Sequence, residues 1–221
     1  MMELIKPNSA LWYQARSGKF TASCFGLIMT QPPRGVLAPL SRTAEKYIRR
    51  KARELKYGRP IEDDKDYLRS VQWGYQYEEE ALSVFRRRTG LPVCEGGLAF
   101  HPKWPDVGAT PDALIRDEAT GGFKATVQVK CPFKTHNHLK YCEKVHDGPS
   151  LKKVKKEYYW QVLGEMWVFG LEEAYFISYD PRLPAGEDLH SVRILPDEGD
   201  LLDLMTGLLK AIQWRDEWAG F

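Results

Sequence analysis

Two short runs decide the reading of this chain: GATPDALI from Gly108 to Ile115, and TVQVKCPF from Thr126 to Phe133, separated by a polar turn from Asp117 to Gly122. The first places a proline-aspartate pair on an apolar strand, and the second places a polar, an apolar and a lysine residue in succession on the next. Successive side chains of a strand point to opposite faces, so Gln128 and Lys130 share one face while Val127, Val129 and Cys131 turn towards a core. All the polar chemistry of the hairpin is thereby expected on one side.

The flanking segments give the architecture. Ser41 caps a helix running through Ala44, Tyr47, Ile48 and Leu55 to a stop at Gly58, since a hydroxyl before and a glycine after are terminal signals. A second helix is expected from about Asp66 to Arg88, with Val71, Tyr75, Glu78, Leu82 and Phe85 on a single stripe. Short strands are expected near 93–100, 107–115 and 125–131, forming a mostly antiparallel ribbon, followed by a loop carrying His136, His138 and Asp147. A helix over about 150–169, strands over 174–179 and 191–195, and a final amphipathic helix complete the order. The pattern predicts an α/β fold with a central mixed sheet flanked by helices.

At 221 residues and 43% apolar content the chain reads as one domain over residues 1–221. The net charge of +2 hides two basic runs, one from Lys46 to Arg59 and one from Lys152 to Lys156. Either run can be a solvated helix face or a track for phosphates. The four cysteines lack paired short spacing and no leader peptide is evident, so the expected compartment is reducing, with cytoplasm as the default. No apolar run approaches the roughly 18 residues of a membrane helix.

The hairpin's chemistry matches phosphodiester hydrolysis, in which a divalent metal polarises the phosphoryl oxygen and activates water; Mg²⁺ takes oxygen ligands. Asp112 is the first candidate ligand. Lys130 can act as a point charge on the attacked phosphate or help deprotonate water, and the backbone carbonyl of Val129 is free to reach a metal. Glu78 interrupts an apolar helical stripe, where an unpartnered carboxylate costs several kcal/mol, so a metal or basic partner is expected. Arg16 can grip a phosphate through its planar fork, assisted by the hydroxyls of Thr21 and Ser23, which can equally cap a helix. The amide of Gln161 can orient a water or a scissile phosphate. Cys131, His136, His138 and Cys142 form a weaker zinc candidate whose spacing fits no usual pattern; a groove of His and Lys along nucleic acid fits better.

Trp12 to Ser23, Trp73-Gly74 to Glu78, Pro111-Asp112, Gln128 to Phe133, Tyr158 to Trp167 and Tyr179-Asp180-Pro181-Arg182 together resemble the phage lambda exonuclease family. These are viral-type recombination nucleases of the restriction-endonuclease-like PD-(D/E)XK superfamily. The resemblance implies Mg²⁺ on Asp112, position 128 and the Val129 carbonyl, with Mn²⁺ as a possible substitute, Lys130 as the catalytic lysine and Glu78 as the helical carboxylate. It implies Arg16 as the receiver of the 5′-phosphate, with Ser23 and Gln161 nearby. It further implies a homotrimeric ring that degrades one strand of double-stranded DNA ends from 5′ to 3′ without ATP. The 3′ overhang would pass to a phage single-strand annealing protein in a bacterial cytoplasm. The lack of a Gly-x₄-Gly-Lys-Ser/Thr run agrees with the absence of ATP.

One position departs from that pattern. Gln128 stands where the family carries an acid, and a neutral amide oxygen holds Mg²⁺ less strongly than a carboxylate. Three explanations compete: another carboxylate substitutes, the protein is a non-catalytic DNA-end clamp, or the residue was changed on purpose to trap substrate and metal. Intact motifs elsewhere favour the last, which makes the chain a catalytically impaired variant. An iron-sulfur nuclease of the same superfamily is disfavoured, since the cysteines lack a close C-terminal cluster. If position 128 has simply lost its ligand, Gln128→Glu raises Mg²⁺-dependent digestion by orders of magnitude; equal rates for the two forms contradict that explanation.

Overall fold

The computed structural model describes residues 4–61 and 69–221. Helix α1 (Ala10–Ala15), strand β1 (Phe20–Thr21) and helices α2 (Phe25–Ile28), α3 (Arg42–Tyr57) and α4 (Arg69–Thr89) come first. Strands β2 (Val93–Glu95), β3 (Ala99–His101), β4 (Trp104–Ala109), β5 (Ala113–Arg116) and β6 (Phe123–Lys130) follow. Helices α5 (Thr135–Lys144), α6 (Gly148–Val154) and α7 (Lys156–Phe169), strands β7 (Ala174–Tyr179) and β8 (Leu189–Ile194), and helix α8 (Glu198–Ala219) close the order.

Local signals explain the ends of α3. The Ser41 hydroxyl accepts from the Ala44 N–H, and Gly58 leaves the helix at a φ of 63°, where glycine carries no side-chain penalty. The start of α4 expected at Asp66 falls partly outside the described residues. Its stripe divides in two: Leu82 and Phe85 are buried against the sheet, while Val71, Tyr75 and Glu78 face a cleft.

The principal sheet has the order β2-β5-β6-β7-β8, antiparallel except for the parallel β6–β7 pair. A second, three-stranded sheet has the order β1-β4-β3. The strand expected over 93–100 is thus two strands in different sheets, broken at Gly96-Gly97, and the one expected over 107–115 breaks at Thr110-Pro111-Asp112. Asp112 lies on the link between sheets rather than within a strand. The expected loop with His136 and His138 is helix α5, and the helix expected over 150–169 divides at Lys155 into α6 and α7.

Helices cover β6 on both sides, so even its Gln128 is only 3% exposed. One core joins Val127 and Val129 to Phe85 and Ile177; the other joins α2, α7 and α8 around Phe25, Leu163 and Leu208. The link before Asp112 depends on a glycine. A Cβ on Gly96 would come within 2.0 Å of the Pro111 carbonyl oxygen. Gly96→Ala therefore forces backbone to move, and the expected loss is about 1–3 kcal/mol in denaturant unfolding; an unchanged midpoint would contradict this packing.

Candidate active site

Asp112 is held by the strand beside it. Its own N–H donates to the Val127 carbonyl at 3.0 Å, and its carboxylate accepts from the Val129 N–H at 2.6 Å. The Gln128 side-chain amide donates both to this carboxylate and, at 3.3 Å, to the Val129 carbonyl. The Gln128 N–H group therefore lies between two oxygen acceptors, where an ion would find them. Lys130 donates to Gln161 Oε1 at 3.3 Å, and its Nζ stands 4.9 Å from the centre of the Tyr158 ring. A cleft of about 470 Å³ is lined by Asp112, Gln128, Val129, Lys130, Glu78 and Gln161, among others.

The expected alternation holds, since Gln128 and Lys130 share the face opposite Val127 and Val129. Asp112 and Lys130 open onto the same cleft, together with Glu78 from α4. The Asp112 carboxylate and the Val129 carbonyl are hard oxygen donors suited to Mg²⁺ or Mn²⁺, while the Gln128 amide turns its nitrogen to them and its oxygen to Gln161. Among the described residues no three His, Cys, Asp or Glu side chains converge as a ligand set. Any ion here would rely on Asp112, neutral oxygens and water, with Glu78 as the other carboxylate on the cleft. The zinc candidate does not assemble: of its four residues His138 meets Cys142 at 3.3 Å, but His138 is fully buried on α5, with Nδ1 2.8 Å from the Ser178 hydroxyl and Nε2 2.8 Å from the Glu187 carbonyl. It braces β7 rather than lining a groove.

Arg16 lies beside the cleft. Its guanidinium stacks 3.8 Å from the Trp12 ring centre and donates to Thr21 at 3.1 Å and Ser23 at 3.5 Å. Trp12 Nε1 donates to Thr110 at 3.2 Å, which ties this cluster to the Asp112 corner. Trp12 and Ser23 line the cleft itself, whereas Arg16 lines an adjoining hollow. The basic runs are only partly free to meet phosphate. Lys51 is buried on Glu54 at 2.7 Å and Lys152 pairs with Asp200 at 2.5 Å, while Lys46, Arg53, Lys56 and Lys153 are exposed.

Two features lie outside the expected site residues. Asp180, fully buried, receives the Arg182 guanidinium at 2.7 Å. Arg182 also donates to the Phe133 carbonyl and stacks on Trp73, joining the YDPR run to KCPF and to α4. Glu165 is 0% exposed on α7 and accepts from Gln161 Nε2 at 2.9 Å. Glu165 in YYWQVLGEMWVF carries the same signal as Glu78, an acid within an apolar helix.

Burial raises the acids at and behind this cleft above their ordinary range. Burial, then the charge of Asp112, pushes Glu78 up to about 8 against the pull of Lys130. Asp112 is raised by burial despite Lys130 and its two hydrogen bonds, and burial and then Asp112 hold Glu165 well above the usual carboxylate range. Such a set favours a cation.

The family model of the YqaJ-like viral recombinase domain matches residues 11–172. The chain belongs to this family. No curated protein matches it significantly. Among solved structures it is similar to an alkaline exonuclease, LHK-Exo, from Laribacter hongkongensis. The identity is 25% and the TM-score 0.78, covering 96% of this chain and 95% of the other. The same enzyme in complex with dAMP matches equally. A phage-related exonuclease from Haemophilus somnus 129PT, at 17% identity, shares the fold with a TM-score of 0.64 over 91% of this chain and 93% of its own. The fold is accordingly that of the PD-(D/E)XK exonucleases. No helix among the described residues is long and apolar enough to cross a membrane.

The raised carboxylates predict a pH dependence. The folded protein binds the Glu78 proton more tightly than the unfolded chain, so metal-free stability falls as pH rises from about 4.5 to about 8. Melting in EDTA across this window should show the decline, Mg²⁺ should reverse it, and Glu78→Gln should flatten part of it. A melting temperature independent of pH would contradict the arrangement.

Proposed function

We propose that this protein is a Mg²⁺-dependent exonuclease that shortens one strand of double-stranded DNA from a 5′-phosphorylated end, leaving a 3′ overhang for recombination. The observation that carries the reading is the convergence of Asp112, the Val129 carbonyl and Lys130 on one cleft, with Arg16 at its edge. The relative's complex with dAMP supports a deoxynucleotide as a ligand of this fold.

Asp112 and the Val129 carbonyl would hold the ion, beside the Gln128 amide, whose oxygen accepts from Gln161. Mg²⁺ bound there would supply polarisation of the phosphoryl oxygen and a lowered pKa for water. Lys130 offers its ammonium group to the charge that develops on the attacked phosphate, and Gln161 orients that ammonium by accepting from it. Glu78 adds a second carboxylate across the cleft. Arg16, held flat on Trp12, donates with Thr21 and Ser23 to the terminal 5′-phosphate. The exposed lysines and arginines of α3 and α6 track the backbone, which makes binding strongly salt-dependent.

No ATP enters this scheme, and Mn²⁺ can stand in for Mg²⁺. Residues 1–221 act as one nuclease domain, three copies ring the duplex, and a single-strand annealing protein takes the product in the bacterial cytoplasm. Taken by itself, Gln128 lowers the negative charge of the site and impairs it; a non-catalytic end clamp is the extreme of that case.

Strand-resolved digestion of a blunt duplex tests the reading. With Mg²⁺ the strand carrying the 5′-phosphate should shorten from that end, Lys130→Ala should slow it by a factor of about 10²–10⁴, and Arg16→Ala should erase the preference over 5′-hydroxyl ends. A mobility shift without shortening of either strand would identify a clamp instead.

A further inference from the structure

We infer that Glu165 replaces the acid missing from position 128, supplying negative charge to the ion site through the amides of Gln161 and Gln128. The inference rests on the metal-dependent reading above and assigns the residue that lets this chain dispense with an acid on β6.

The connection is continuous. Gln161 Nε2 donates to Glu165 Oε1 at 2.9 Å and to Gln128 Oε1 at 2.6 Å, and the Gln128 amide contacts Asp112 and the Val129 carbonyl. Glu165 is therefore one side-chain amide away from position 128. It lies behind the cleft wall, so it acts as a positioning residue rather than a ligand.

The second observation is an orphan. Glu165 Oε2 is buried with no hydrogen-bond partner, in a helix whose neighbouring buried positions Leu163 and Met166 are apolar. Among the described residues no cation is paired with it. A carboxylate without a paired charge in such a place is costly, and a nearby positive charge relieves the cost. Lys130 is already shared with the Gln161 carbonyl. A divalent ion at Asp112 supplies the missing positive charge.

Chemistry gives the same direction. Carboxylates hydrogen-bonded to first ligands tune a metal site, and losing one typically costs about 10–100-fold in affinity or activity. A Glu at 128 alongside Glu165 would put two carboxylates on one Gln161 amide. With Gln128 in place the charge sits one helix further back, and the count is kept.

Mn²⁺ titration by calorimetry, with no DNA present, separates the possibilities. Glu165→Gln, an isosteric change, should weaken Mn²⁺ binding up to about 10-fold, the lower end of the range for a partner bonded directly to a ligand. Adding Gln128→Glu to that variant should restore the affinity to within about threefold of the parent, because the charge returns to the site by the other route. Undiminished binding by Glu165→Gln overturns the inference, and so does a double exchange that fails to recover. Should Glu165→Gln alone fail to fold, the double exchange decides, parent-like affinity supporting the inference and loss opposing it. A parent that binds Mn²⁺ and digests DNA while Glu165→Gln behaves identically removes this inference alone; a parent that binds no Mn²⁺ removes the metal-dependent reading with it.

Discussion

Asp112 accepts the N–H of Val129 while donating its own N–H to Val127, and the rest of the site follows from that reciprocal pair. The two bonds extend the β5–β6 pairing one residue past the end of β5, so the carboxylate stands opposite Gln128. The parallel β7 and the helices on both faces bury β6, leaving its end little freedom to shift. Gly96 completes the constraint from the outside, because its missing side chain lets Pro111 settle against it. A site built this way is preorganised by backbone rather than by flexible side chains, as a reaction that depends on placing charge requires.

Much of this was readable from residue order. The Ser41 and Gly58 signals define α3, and the alternation in TVQVKCPF correctly separates the cleft face from the core face. The split of the 93–100 and 107–115 runs was not readable, since period-two patterning marks a strand without naming its sheet. Gly96-Gly97 and Thr110-Pro111 were visible as breaks, but the change of sheet depends on the tertiary contact between Gly96 and Pro111. The interior role of His138 likewise depends on Ser178 and Glu187, 40 and 49 positions away.

The site residues show the same division. Asp112, Gln128, Lys130, Glu78 and Gln161 come together as the motif order implied, because they lie on the hairpin and on the two helices that cover it. Arg16 comes to the edge rather than the centre, held by Trp12 and Thr21. Glu165, buried within an apolar helix, follows the same physical rule as Glu78. The structure adds what the sequence lacked, namely its neighbours: two glutamine amides leading to Asp112.

The electrostatics make an ion central to the account. Burial raises Asp112, Glu78 and Glu165 together, while Lys130 is the ammonium that offsets all three. The most direct test is a crystal structure of the protein soaked with Mn²⁺, using anomalous scattering to locate the ion. A peak is expected within ligand distance of the Asp112 carboxylate and the Val129 carbonyl. A peak elsewhere, or none beside Asp112 at saturating Mn²⁺, would contradict it.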